Sequence, residues 1–215
     1  QVRIKRREVS ILTFHRVSDE DGYLWCPLSV ATFRSLMEEL AKIAYIVRLE
    51  EVGEIAAYPD RPIVVLSFDD GYMDFWLNAL PILREFGLPA HHNICPGLID
   101  SGIPPWTQVL EAYLATGPTS VDLPGGGVYR WQGEIGEGDL ISIAGRLAEV
   151  DDGVREVWID RLLQAGIDFG EMRLMGWNEV AQCLDSGISI GSHGMNHRNL
   201  AKISDERMLY REIAQ

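Results

Sequence analysis

The feature that most constrains the fold of this 215-residue chain is the run Ile63 to Phe68, which is apolar except for one serine. A strand that is apolar on both faces is typical of a parallel sheet covered by helices. Helical patterns separate this run from other short apolar runs, among them Val9 to Phe14, Ala90 to Ile94 and Ile188 to Gly191. The alternation predicts the α/β class with a mainly parallel sheet.

Several helix boundaries are also predictable. Ser29 is a typical N-cap, and Gly87 is a typical end for a helix that begins near Asp74. Pro81 inside that helix predicts a kink or a break. Ser204 is predicted to cap the last helix.

The stretch from about 101 to 175 departs from the alternation. The glycines Gly125 to Gly127 lie between two short apolar runs and predict a hairpin. Leu140 to Gln164 predicts one or two amphipathic helices. We interpret this stretch as an insertion within a single domain that spans residues 1–215.

Charge and hydropathy exclude several classes of protein. The chain has 32 acidic against 19 basic residues and a net charge of −13, so nucleic acid is not an expected partner. Basic residues cluster only at Arg3 to Arg7, which we expect to be a solvated edge. No run approaches the roughly 18 apolar residues of a membrane span, so no transmembrane segment is expected. No signal peptide is visible, which leaves a cytoplasmic and a cell-envelope location both open.

Two carboxylates, Asp69 and Asp70, follow the Ile63 to Phe68 run directly. Catalytic groups of parallel α/β folds gather at the carboxyl ends of the strands. Gly71 allows a sharp turn there, so both carboxylates could face one cleft. Because neighbouring anions repel, they need a cation or a proton. The alternative is a helix-capping turn, in which aspartate is also favoured.

His193 and His197 follow the Ile188 to Gly191 run in the same way. Two neutral imidazoles and one carboxylate are a usual ligand set for a catalytic zinc-type site, with one position left for water. Surface histidines recur by chance, but the combination with Asp69 and Asp70 favours a metal site.

With both motifs the chain resembles the NodB-homology polysaccharide deacetylases, carbohydrate esterase family four. Ser67 to Gly71 is similar to the family's Thr/Ser-Phe-Asp-Asp-Gly motif. His193 to His197 is similar to its His-Ser/Thr-x-x-His motif, with Gly194 where Ser or Thr is usual. Leu12 to Val17 resembles the Tyr-His-x-Val element of one branch of the family. The resemblance covers most of residues 9–215 except the insertion.

The resemblance implies a distorted (β/α) barrel. It also implies an enzyme that hydrolyses N-acetyl groups of an amino-sugar polysaccharide and releases acetate. It implies that Asp70, His193 and His197 hold one divalent metal ion, expected to be zinc. It implies that Asp69 is the general base, which takes a proton from water that the metal activates. The implied partner is therefore an N-acetylated glycan.

Departures from the family pattern supply further candidates. Where the family usually reads Thr-Phe-Phe, this chain reads His91-His92-Asn93. We name His15, His91, His92 and Trp106 as candidate residues of a substrate cleft. Structural histidines with local hydrogen bonds, and core packing for Trp106, are the alternatives.

The later motifs of the family have no counterpart in residues 198–215, and these motifs include the histidine that acts as general acid. We therefore expect a fragment whose barrel is incomplete at the C-terminus and whose catalytic apparatus is incomplete. Two other functions stay open. One is a glycan-binding or scaffold protein without catalysis, against which the intact aspartates and histidines argue. The other is a metal amidohydrolase that acts on a small amide or on an N-acetylated sugar intermediate. The oligomeric state is not predicted.

Overall fold

The structure is a computed structural model that describes residues 8–20, 26–55 and 59–214. The basic run Arg3 to Arg7 lies outside the described residues. In the described part of the chain, none of the helices combines the length and the apolar character needed to cross a membrane. The elements follow in the order β1 Val9–Phe14, α1 Val30–Ile43, β2 Tyr45–Ile46, β3 Ile63–Phe68, α2 Leu80–Phe86, β4 His91–Ile94, α3 Pro96–Ser101, α4 Trp106–Ala115, β5 Ser120–Asp122, β6 Val128–Arg130, α5 Glu137–Ala148, α6 Asp152–Leu163, α7 Trp177–Asp185, β7 Ser189–Ser192 and α8 Glu206–Ala214.

The main sheet is parallel throughout, and its long path runs β1-β3-β4-β7. The short strand β2 pairs with the first two residues of β3, and β4 pairs with the last two. All carboxyl ends of the strands therefore meet at one edge. Among the described residues no further strand pairs with the outer side of β1 or β7, so the barrel is not closed. The predicted α/β class with a parallel sheet is confirmed.

Strand β3 is buried along its whole length, with Val64, Leu66 and Phe68 in one hydrophobic cluster and Ile63 and Val65 in another. Helix α1 contributes Phe33, Met37 and Leu40, which recur at helical spacing on its buried face. The ring of Phe68 lies 5.1 Å from that of Phe14 and 4.7 Å from that of Phe75. Each such side chain stabilises the fold by about 1.5–3 kcal/mol on burial. This core holds the carboxyl end of β3 in place.

The insertion has a hydrophobic core of its own. Helices α4, α5 and α6 pack with the hairpin β5–β6 around Leu110, Leu140 and Ile143. The indole of Trp158 donates a hydrogen bond to the carbonyl of Asp122 at 2.6 Å and so ties α6 to the hairpin. The predicted hairpin is confirmed, and the predicted helical stretch forms two helices, α5 and α6.

Most of the predicted helix boundaries are confirmed. The hydroxyl of Ser29 accepts a hydrogen bond from the Thr32 amide, and Gly87 ends α2 with φ 63°. The predicted break at Pro81 takes the form of a π-helical turn at Phe75–Ala79, after which Pro81 lies in the first turn of α2. Proline is tolerated there because first-turn amides lack helical partners.

The predicted cap at Ser204 is wrong by one residue. Helix α8 begins at Glu206, and the carboxylate of Asp205 accepts a hydrogen bond from the Met208 amide at 2.9 Å. Aspartate is as strong an N-cap as serine, so two adjacent residues competed for this role in the sequence.

Candidate metal centre

The chain turns sharply where β3 ends. Asp70 has φ 76° and Gly71 has φ 92°, so the left-handed backbone includes a residue with a side chain. That conformation costs about 1–2 kcal/mol for a residue other than glycine. The amide of Asp69 donates to the carbonyl of Phe14, and the amide of Gly71 donates to the carbonyl of Asp69, both at 3.0 Å. Strained residues of this kind cluster at functional sites.

A second loop leaves β7 at the same edge of the sheet. The amide of His193 donates to the carbonyl of Ile94 at 2.8 Å, which continues the β4–β7 pairing beyond the strand. His197 has φ 56°, the other left-handed residue with a side chain among those described. The loop thus turns back over the carboxyl end of β3.

These turns bring Asp70, His193 and His197 together. Oδ1 of Asp70 lies 3.5 Å from Nε2 of His193 and 3.3 Å from Nε2 of His197. One ligand atom from each residue lies within 4.8 Å of the others, and the two imidazole centroids are 5.1 Å apart. Ligands about 2.0–2.1 Å from a tetrahedral zinc ion are roughly 3.3 Å from each other. The cluster therefore fits a divalent ion of this size.

The electrostatics of the cluster also suit a metal. Oδ1 of Asp70 is buried and has no hydrogen-bond partner among the described residues. An isolated buried carboxylate oxygen is costly without a cation. Burial lowers the pKa of His197, and nearby His193 lowers it further, against the opposing charge of Asp70. His197 is therefore neutral near pH 7, which is the form that binds metals.

Asp69 lies beside the cluster and is held by Asn93. The side-chain amide of Asn93 donates to Oδ1 of Asp69 at 2.8 Å. Asp69 is 9% exposed, and its charge is close enough to raise the pKa of His197 slightly. Sequence reasoning named Asn93 only as part of the departure from Thr-Phe-Phe and assigned it no role.

Two cavities are each lined by two residues of the cluster. The first, of about 480 Å³, is lined by Asp70 and His197, and His15 lies on its wall. The second, of about 640 Å³, is lined by His193, His197 and Trp106. The insertion contributes to the first cavity one face of α4, namely Thr107, Gln108 and Glu111.

The candidate cleft residues differ in their positions. His15 and Trp106 border these cavities, although the guanidinium of Arg155 lies 4.9 Å above the indole of Trp106 and covers one face. His91 and His92 line neither cavity. His92 is completely buried, with its ring 4.2 Å from that of Phe75, and so cannot contact a ligand in the folded protein.

Helix α8 holds the loop between the two histidines. Oε1 of Glu212 accepts hydrogen bonds from the amides of Asn196 and Arg198, at 2.6 and 3.3 Å. Oε2 of Glu212 accepts another from the side chain of Asn196, and only 3% of Glu212 is exposed. Sequence reasoning missed this residue because no local pattern marks a carboxylate that accepts hydrogen bonds from a loop much earlier in the chain.

Comparison with known proteins now decides the family. The family model for polysaccharide deacetylases matches residues 56–215, which include both the Asp69–Asp70 and the His193–His197 motif. The chain belongs to the polysaccharide deacetylase family. The resemblance predicted from the two motifs is thereby confirmed. Among curated proteins, none matches this chain significantly.

Solved structures share the fold of this family member. A Streptococcus pyogenes deacetylase, PplD, determined in complex with acetate, superposes with a TM-score of 0.57 at 15% identity, over 95% of this chain and 64% of PplD. IcaB from Ammonifex degensii superposes with a TM-score of 0.54 at 14% identity, over 96% of this chain and 65% of IcaB. The chain thus spans slightly less than two thirds of the length of either.

Proposed function

We propose that the chain hydrolyses N-acetyl groups of an amino-sugar polysaccharide with the help of one divalent metal ion, and that acetate is released. The observation that carries the proposal is the cluster of Asp70, His193 and His197 beside a cavity of about 480 Å³. Membership of the polysaccharide deacetylase family supports the substrate class. A ligand set of two nitrogens and one oxygen supports zinc as the ion.

Metal binding and proton transfer are carried out by different residues of the site. Asp70, His193 and His197 hold the ion, which when bound would acidify a water molecule and polarise the acetyl carbonyl. Asp69 accepts the proton that the water loses as its oxygen attacks the carbonyl carbon. The C–N bond then breaks as Asp69 passes this proton to the leaving nitrogen, so the products are acetate and a free amino sugar. His15 and Trp106 border the cavities in which the sugar would lie.

Two further observations support this reaction, one from a structural neighbour and one from the site itself. PplD, which shares the fold, was determined with acetate, the product expected here. Asp69 is next to a ligand in sequence but is not part of the three-residue cluster, which suits a base more than a ligand.

The proposal is tested by measuring bound metal and acetate release from N-acetylglucosamine oligomers with the parent chain, Asp69→Asn and His193→Ala. We expect Asp69→Asn to retain metal and to lose acetate release by about 10²–10⁴-fold, the usual contribution of a general base. We expect His193→Ala to lose both. Asp185→Asn, an exposed change at the end of α7, serves as the matched control.

Other outcomes would contradict specific parts of the proposal. Loss of metal in Asp69→Asn would mean that the two aspartates are assigned the wrong way round. Acetate release from the N-acetylated monosaccharide but not from oligomers would favour a small-molecule amidohydrolase. Oligomer binding without acetate release by the parent would favour a glycan-binding protein.

A further inference from the structure

We infer that Asn93 is a positioning residue for Asp69, and that His91 and Gly191 fix the orientation of the Asn93 side chain. The inference rests on the proposed function, because it takes Asp69 to be the base. It concerns a part of the site that lies on β4 and β7, the two strands that follow β3 along the sheet.

The contact between Asn93 and Asp69 has a defined direction. An ionised carboxylate only accepts hydrogen bonds, so the amide nitrogen and not the amide oxygen must face Asp69. The distances agree, with Nδ2 of Asn93 2.8 Å from Oδ1 of Asp69 and 3.4 Å from the hydroxyl of Ser67. The parallel register of β3 and β4 pairs Ser67 with His91 and Phe68 with His92, which brings Asn93 level with Asp69.

His91 supplies the partner for the other end of the amide. With Nδ2 committed to Asp69, Oδ1 of Asn93 faces Nε2 of His91 at 2.9 Å. An amide oxygen only accepts, so Nε2 of His91 must carry a hydrogen. Nδ1 of His91 has no hydrogen-bond partner among the described residues and lies 3.8 Å from Oε1 of Glu50. His91 thus opposes a flip of the Asn93 amide, which would place two acceptors against each other at Asp69 and two donors against each other at His91.

Gly191 has no side chain, which leaves room for the side chains of His91 and Asn93. Strand β7 pairs Gly191 with Asn93. A Cβ atom at position 191 would lie 2.5 Å from Nε2 of His91 and 2.6 Å from Oδ1 of Asn93, closer than real contacts allow. Because φ of Gly191 is outside the left-handed region, the glycine is required here for room and not for backbone conformation. Three neighbouring strands therefore combine to hold one carboxylate.

The position of the Asp69 carboxylate should affect the rate of the reaction more than the binding of the glycan. Because one oxygen of Asp69 is held by the amide, the direction of the other oxygen is set. A displacement of about 1 Å in a reacting group can cost about 100-fold in rate. Loss of the Asn93 amide should therefore lower kcat while the KM for the glycan changes little, since Asn93 lines neither cavity.

Kinetics of acetate release from N-acetylglucosamine oligomers test the role. We expect Asn93→Ala to lower kcat by about 10–100-fold with KM within about threefold of the parent. Asn78→Ala removes a partly buried amide that donates to the Val17 carbonyl and serves as the control for a general loss of stability. Unchanged kcat in Asn93→Ala with an active parent would overturn the inference.

Variants of His91 and Gly191 separate positioning from packing. His91→Gln retains a donor for Asn93 and should keep kcat near the parent value, whereas His91→Phe retains the ring shape and should lower kcat. A merely structural role predicts the opposite order. Gly191→Ala should lower kcat, and Gly145→Ala, where a Cβ meets nothing within 4 Å, should leave it unchanged.

A readout that needs no activity separates failure of the inference from failure of the proposed function. In NMR spectra of the folded chain, the side-chain amide of Asn93 should show hydrogen-bonded shifts that move in Asp69→Leu and in His91→Phe. An Asn93 amide with the shifts of a solvated side chain would overturn the inference even in an active chain. A parent that releases no acetate would overturn the proposed function, while the amide shifts still report whether Asp69 is held.

Discussion

His92 is completely buried in the main sheet, next to the carboxyl end of β3. Burial lowers the pKa of its imidazole to about 3, against the opposing influence of the Asp69 backbone. The side chain is therefore neutral in the folded chain. In the unfolded chain its pKa returns to about 6.5.

This difference predicts acid sensitivity. Between pH 6.5 and about 3 the unfolded chain binds one more proton at His92 than the folded chain, so the free energy of unfolding falls as pH falls. The upper limit of the slope is about 1.4 kcal/mol per pH unit. His92→Phe keeps an aromatic ring beside Phe75 and removes this contribution.

We expect His92→Phe to flatten the pH dependence of stability by about 2 kcal/mol between pH 7 and pH 5. Urea unfolding of both proteins without metal, at the two pH values, measures this difference. Equal losses of stability in the parent and in His92→Phe would contradict the burial of a neutral imidazole at this position.

At the scale of elements, the main observation is that the loop between His193 and His197 depends on a helix that follows it in the chain. The carboxylate of Glu212 in α8 accepts hydrogen bonds from the amides of Asn196 and Arg198, and its carbonyl accepts one from the Met195 amide. It also lies close to Gly194, where a Cβ would be 2.9 Å from Oε1 of Glu212 and φ is 80°. The helix and the glycine together set the path of the loop.

We expect Glu212→Ala to weaken metal binding by about 10–100-fold, the usual effect of losing a group that orients metal ligands. The cause would be increased freedom of the loop, because Glu212 is not part of the metal-ligand cluster. Isothermal titration of zinc into the metal-free chain measures the affinity. Glu206→Ala, in the first turn of the same helix, is the control, and equal affinities in both variants would contradict the role.

The described residues pack into two large hydrophobic cores and one small cluster around Ile63 and Val65. One core lies between the main sheet and its helices, and the other lies inside the insertion. Helix α4 belongs to the second core, yet Thr107, Gln108 and Glu111 face the 480 Å³ cavity. Separate cores favour separate opening, because cooperative units follow packed clusters.

We expect Leu140→Ala to accelerate hydrogen exchange in α4, α5 and α6 more than in β3 and β4. Leu140 is fully buried in the second core, and such a truncation costs about 2–5 kcal/mol. Leu83→Ala, equally buried in the first core, should accelerate exchange in the sheet. Equal acceleration everywhere in both variants would show that the two cores open as one unit.

The class of the fold, the strands that precede both motifs and the family can all be inferred from the amino-acid sequence. These features are local, since periodicity, capping residues and adjacent ligands can be recognised within a few positions. The same pattern indicated Asp69, Asp70, His193 and His197 as candidates. It also indicated His91 and His92 as cleft residues, although adjacent residues on a strand point to opposite faces.

Which of these groups lie close together depends on the packing of the folded chain. Asp70 and His197 are far apart in sequence, and their 3.3 Å separation depends on the parallel register of β3, β4 and β7. The same register brings Asn93 to Asp69 and requires a glycine at position 191. The burial of His92 also results from the pairing of these strands. Side-chain direction and burial result from contacts between distant segments, so no pattern along the chain contains them.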